Sequence, residues 1–163
     1  MKTRTILKWA GAATLGAMLL APGKMHAQQW SGPGSAFSIP HEALVQPAAL
    51  DRLLRGPKAE RPLVLQVGSH VLFEEAHIAG AEYAGPGSQE TGLAALRERV
   101  QGLARGTPIV IYCGCCPWNH CPNIAPAYRQ LQEMGFVHVR ALLLAENFGT
   151  DWMNKGYPVA HGR

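Results

Sequence analysis

The stretch "TPIVIYCGCCPWNHCPNIAPAYRQLQEMG" (107–135) decides how this chain is read. It opens on a continuous apolar run, β-branched at its centre, of the length and type expected for a buried strand. It closes on apolar residues at helical spacing that stop at Gly135. Between strand and helix, all four cysteines (Cys113, Cys115, Cys116 and Cys121) fall within nine positions, with Pro117, Trp118 and His120 among them and Pro122 just after. Strand, loop and helix in this order are the beginning of a strand–helix–strand unit.

The flanking sequence continues the alternation. Upstream, "QPAALDRLLRG" (46–56) sets Ala49, Leu50, Leu53 and Leu54 at helical spacing, with Pro47 in the first turn and Gly56 as the stop. "RPLVLQVG" (61–68) is a second apolar strand closed by Gly68. A helical turn around Phe73–Ala76 is expected next, and "HIAGAEYAG" (77–85) then reads as a turn leading into a short strand. "GLAALRERVQGLARG" (92–106) is an amphipathic helix with Leu93, Leu96, Val100 and Leu103 on one stripe. Downstream, "FVHVRALLL" (136–144) is a third strong strand and "ENFGTDWMNKG" (146–156) a last short helix. Glu74 and Glu75 read as a solvated helix face. The expected fold is therefore α/β, a central parallel sheet of about five strands with helices on both faces. In such sheets ligands bind beyond the carboxyl ends of the strands. Cys113 ends the central apolar run, so the cysteine loop takes the active-site position.

The N-terminus bears on compartment and charge. "MKTRTILKWAGAATLGAMLLAPGKMHA" (1–27) has a basic start, an apolar run from Trp9 to Leu20 and then small residues. That is the layout of a cleaved secretory signal, with cleavage after Ala27. The apolar run is shorter than the ~20 residues that span a bilayer. The expected location is periplasmic or secreted, with no membrane embedding after cleavage. Residues 1–27 hold four of the fifteen basic residues and none of the eleven acidic ones, so eleven basic residues face eleven acidic ones in the remainder. The whole-chain net charge of +4 thus belongs to the export signal, and no persistent basic face points to nucleic acid. "QQWSGPGSAFS" (28–38) reads as a flexible arm, and a single domain is expected over residues 39–160.

Four thiols in an oxidising compartment admit three chemistries. Cys113 is a nucleophile if loop amides and a nearby helix N-terminus stabilise its thiolate, with Gly114 permitting the sharp turn just after it. Cys121, near the start of the following helix with Pro122 read as its first residue, is a second candidate nucleophile. Cys115, Cys116 and Cys121 are resolving or alternative thiols, and a disulfide among them would serve either turnover or clipping of the loop. Cys115 and Cys116 are adjacent and seldom bond each other. Alternatively, Cys113, Cys115, Cys116, Cys121 and His120 suit a soft ion such as Cu(I) or Zn(II), although the C-x-C-C-x4-C spacing matches no paired C-x2-C zinc pattern. A thiol–disulfide redox module is the third alternative. No cofactor is expected.

In this order the motifs resemble the rhodanese domain family. "HIAGA" (77–81) is similar to that family's His-Ile-Pro-Gly-Ala turn, with Ala79 in place of proline. "IVIYC" (109–113) followed by "APAYRQLQEMGFVHV" (125–139) resembles the catalytic strand, its helix and the next strand. "WMNKGYPV" (152–159) resembles the closing Trp-x-x-x-Gly-Tyr-Pro-Val. The resemblance implies a rhodanese-like fold and a sulfurtransferase or persulfide carrier that takes sulfane sulfur on Cys113. Its expected partners are a small sulfur donor, a thiol acceptor and a periplasmic protein. It makes His77 a turn residue, and Trp152 and Tyr157 read as packing residues. Trp118 would either shield the sulfur, mark a partner surface or cap the core. Where the family often has Asp-Val-Arg, this chain has Gln66-Val67-Gly68, so an ion pair that commonly braces the site is missing. The loop is longer than the family's usual one, and no Arg or Lys lies between Cys113 and Tyr128. That leaves His120 as the candidate anion-attracting group and predicts weak use of thiosulfate.

Overall fold

The computed structural model describes residues 39–162. The signal read over 1–27 and the arm over 28–38 lie outside the described residues. In chain order the elements are β1 (Leu44–Val45), α1 (Pro47–Arg55), β2 (Leu63–Gln66), α2 (His70–Glu75), β3 (His77–Ile78), β4 (Glu82–Tyr83), α3 (Glu90–Val100), β5 (Ile109–Tyr112), α4 (Ile124–Glu133), β6 (Val139–Leu142), α5 (Phe148–Asp151) and β7 (Val159–Ala160). Five strands form one sheet in the order β1-β6-β5-β2-β4, with every pairing parallel. The expected α/β sheet is present, with β5 at its centre. A separate antiparallel pair joins β3 to β7, bringing His77 opposite Ala160.

Strand side chains alternate between faces, and two apolar clusters follow from that alternation. Ile109, Ile111 and Cys113 pack with Leu96 and Val100 of α3 and with Ile124, Ala127, Tyr128 and Leu131 of α4. Val110 and Tyr112 point the other way, into a cluster with Leu50 of α1, Phe73 of α2, Phe148 of α5 and Trp152. All four residues of β5 are buried, as a strand covered on both faces requires.

Chain direction fixes where a site can form. From β2 the chain moves outward to β4, and from β5 it moves the other way to β6. The reversal leaves a crevice beyond the carboxyl ends of β2 and β5, the usual ligand position in open parallel sheets. Gln66 ends one of these strands, and Cys113 is the first residue past the other.

Two local expectations are revised. Residues 146–156 do not form one helix: α5 stops at Asp151 and a separate 3-10 turn covers Met153–Lys155. Trp152 breaks the helix because its indole turns fully into the core, where Nε1 donates to the Pro158 carbonyl at 2.9 Å. The helix after the cysteine loop begins at Ile124 with Asn123 as its N-cap, so Pro122 lies in the preceding turn rather than at the first helical position. Among the described residues no helix is long and apolar enough to cross a membrane.

Candidate active site

Cys113 leaves β5 into a tight turn at Gly114, whose φ of +82° is a conformation that side chains disfavour. The Gly114 carbonyl accepts from the amide of Phe148 at 3.1 Å, which ties the turn to the start of α5. That start is itself fixed, because Asn147 caps Thr150 and the Asp151 carboxylate accepts the amides of Glu146 and Asn147. The Trp118 amide donates to the Ala145 carbonyl at 3.3 Å, a second tie between the cysteine loop and the segment after β6. The Trp118 ring is half-buried against the core.

The brace expected to be missing is supplied by a neutral side chain. Gln66 is buried, and its amide donates to the Cys113 carbonyl at 3.2 Å and to the Ser69 carbonyl at 3.4 Å. Its oxygen accepts from the Gly68 amide at 3.2 Å. Gly68 packs so closely that a Cβ there would lie 2.8 Å from the Cys113 carbonyl oxygen and 2.9 Å from its sulfur. Reading 66–68 only as a lost ion pair overlooked both roles.

The sulfurs of Cys113, Cys115 and Cys121 all lie within 4.8 Å of one another. Cys113 Sγ is 3.1 Å from Cys115 Sγ, which is 3.0 Å from Cys116 Sγ. These are contacts between free thiols, longer than the ~2.05 Å of a disulfide bond. Asn123 donates from Nδ2 to Cys113 Sγ at 3.2 Å, while its Oδ1 accepts from the Ser88 amide at 3.0 Å. An N-cap side chain ordinarily satisfies the first helical amides. Here Asn123 is turned to Cys113, and the Cys121 sulfur accepts from the amides of Asn123 and Ile124 instead.

That exchange decides where the charge sits. The hydrogen bond from Cys113 and the two amides bring the Cys121 thiol down to about 6, against the opposing effect of its burial. Cys113 goes the other way: its proton is held by the Cys121 sulfur, and burial adds to the rise. Burial, then the Cys115 thiol, pushes Cys116 up to about 12. The amides at the helix start were expected to lower Cys113. They serve Cys121, leaving the Cys115 amide as the one backbone donor that eases Cys113.

A cavity of about 480 Å³ opens onto Cys113 and Cys115. Leu72, Tyr112, Phe148 and Met153 supply apolar wall, and among the described residues neither Lys nor Arg lines it. Cys121, Cys116 and His120 are not among its lining residues. His120 is exposed, in the 3-10 turn Trp118–His120, and stands outside the three-sulfur group. The imidazole that does line the cavity is His161, whose Nδ1 faces the Glu75 carbonyl at 2.5 Å. Glu75, expected only as solvated helix surface, lines the cavity too. His77 is buried, stacks on Phe73 with ring centres 3.9 Å apart and meets the Phe73 carbonyl at 2.8 Å. It is a turn residue, away from the sulfurs.

No protein-family model matches the sequence, and no curated protein matches it. Solved structures do resemble the fold. The rhodanese-like domain of the Alr3790 protein from Anabaena sp., determined by NMR, is 21% identical with a TM-score of 0.53, over 73% of this chain and 79% of its own. A crystal structure of the same Anabaena protein is 23% identical with a TM-score of 0.53, over 72% of this chain and 92% of its own. The BH2092 protein of Bacillus halodurans is 20% identical with a TM-score of 0.54, over 72% of this chain and 75% of its own. With its central parallel sheet and a cysteine just past the middle strand, this chain has the rhodanese-like fold.

Proposed function

We propose that this protein is an exported sulfurtransferase or persulfide carrier in which Cys113 takes up sulfane sulfur. One observation carries the reading: Cys113 stands at the carboxyl end of the central strand and lines the cavity, whereas Cys121 is not among the residues that line it. Cys113 is thus the sulfur that meets a substrate, and Cys121 is the thiolate that accepts its proton. The Cys113 sulfur attacks the outer sulfur of a donor R–S–SH. A sulfur–sulfur bond forms on Cys113, the donor's own bond breaks, and R–S⁻ leaves. An acceptor thiolate then attacks the outer sulfur of the Cys113 persulfide, takes it as R′–S–SH and restores the Cys113 thiolate. The cycle exchanges one sulfane sulfur between two thiols and consumes no oxidant.

An apolar wall without Lys or Arg favours small organic donors over the thiosulfate dianion. Transfer from an organic persulfide to a small thiol acceptor, followed as released R–SH, tests the reading. Cys113→Ser should abolish transfer. Cys121→Ser should slow it by roughly 10²-fold, the scale expected for loss of a positioned proton acceptor. Transfer at the wild-type rate by Cys113→Ser would overturn it.

A further inference from the structure

Sulfur transfer as described uses two of the three clustered sulfurs, Cys113 to attack and Cys121 to take the proton. Cys115 has no part in it. Yet its sulfur stands 3.1 Å from that of Cys113, and the three sulfurs lie within 4.8 Å of one another. Three sulfurs each ~2.3 Å from a common centre would lie ~4 Å apart. The Cys113–Cys115 separation of 3.1 Å is shorter than that value and no pair exceeds 4.8 Å, so modest side-chain rotation brings all three onto one ion.

The donor set is soft and incomplete for zinc. Among the described residues no carboxylate or imidazole joins the three sulfurs. Structural zinc sites close with four ligands, and hard divalent ions require oxygen. The Cys116 sulfur touches that of Cys115 but is outside the mutually close group, and three thiolates at one point suit a soft monovalent ion. Backbone on two sides holds the set, since Gly114 fixes the turn between Cys113 and Cys115 and the first amides of α4 hold Cys121. The Asn123 amide, donating to the Cys113 sulfur, is placed as an outer partner that orients a ligand. Among the described residues no Lys or Arg lines the adjoining cavity to oppose a cation.

We propose that Cys113, Cys115 and Cys121 bind one Cu(I) ion in a three-coordinate thiolate site, with the thiol protons released to solvent. This goes beyond sulfur transfer and does not depend on it. The two uses of Cys113 exclude each other, so copper-loaded protein does not take up sulfur.

The test uses the reduced full chain under nitrogen, with no sulfur donor, titrated with Cu(I) against a chromophoric Cu(I) chelator. One equivalent should be withheld from the chelator, and an excess of Zn(II) should not displace it. Cys115→Ser should weaken binding by at least ~100-fold, whereas Cys116→Ser should change it by less than ~3-fold. X-ray absorption of the loaded protein should show three sulfur neighbours. Circular dichroism of Cys115→Ser should match wild type, because Cys115 is exposed; if that serine variant misfolds, Cys115→Ala carries the same test. A different stoichiometry, displacement by zinc, or equal loss in Cys115→Ser and Cys116→Ser would overturn the site. Because Cys115→Ser keeps Cys113, sulfur uptake by that variant separates failure of the copper site from failure of the sulfur-transfer reading.

Discussion

At the scale of single residues, Gly68 and Gln66 set the tolerance of the surroundings of Cys113. A methyl group on residue 68 would meet both the carbonyl and the sulfur of Cys113, and neither is the free end of a flexible chain. Gly68→Ala should therefore displace the sulfur and lower the rate of sulfur uptake by roughly 10²-fold, the cost of a misplacement of about 1 Å. Gly102→Ala, where an added Cβ meets nothing within 4 Å, should leave uptake unchanged. Stopped-flow loading of the two variants provides the comparison. Cys113 and Gly114 were legible in the sequence because a thiol ending an apolar run and a glycine just after it are local signals. Gln66 was not, since its role depends on a carbonyl 47 residues away. His120, beside Cys121 in the sequence, is exposed in a 3-10 turn and does not line the cavity. The imidazole lining the cavity comes from position 161, which carries no local signal.

Among the elements, β5 is the one on which the site depends. It pairs with β2 from Leu63↔Ile109 through Gln66↔Tyr112 and with β6 from Ile109↔Val139 through Ile111↔Ala141. Ile111 is fully buried between these neighbours. Ile111→Ala should cost about 2–5 kcal/mol in urea unfolding, from lost transfer energy and the cavity left behind. Val137, 71% exposed in the turn before β6, should change stability by no more than about 0.5 kcal/mol when replaced by alanine. The strong strands β2, β5 and β6 and the helices α1, α3 and α4 were legible because each carries a continuous apolar run or an amphipathic stripe. The two-residue strands β1, β3 and β7 are too short for any period to register. The break between α5 and the following turn is a tertiary effect, set by the burial of Trp152. The start of α4 is legible to within two residues, but the exchange of capping roles between Asn123 and Cys121 is visible only in three dimensions.

For the whole molecule, charge and compartment belong together. With residues 1–27 removed the chain is formally neutral, so export and loss of the basic segment are expected as one event. We propose cleavage after Ala27: N-terminal sequencing of protein recovered from the cell envelope should begin at Gln28, and recovery of the intact N-terminus from the cytoplasm would contradict it. The fold directs the carboxyl ends of β2 and β5, the turn at Gly114, the start of α4 and the start of α5 toward one crevice. We propose that this convergence makes Cys113 the sulfur that receives sulfane sulfur. Intact-mass measurement with peptide mapping, after brief exposure of the reduced protein to an organic persulfide, tests it most directly. The wild type should gain one sulfur, mapped to Cys113, and Cys113→Ser none. An adduct retained by Cys113→Ser, or mapped to Cys121 in the wild type, would contradict it.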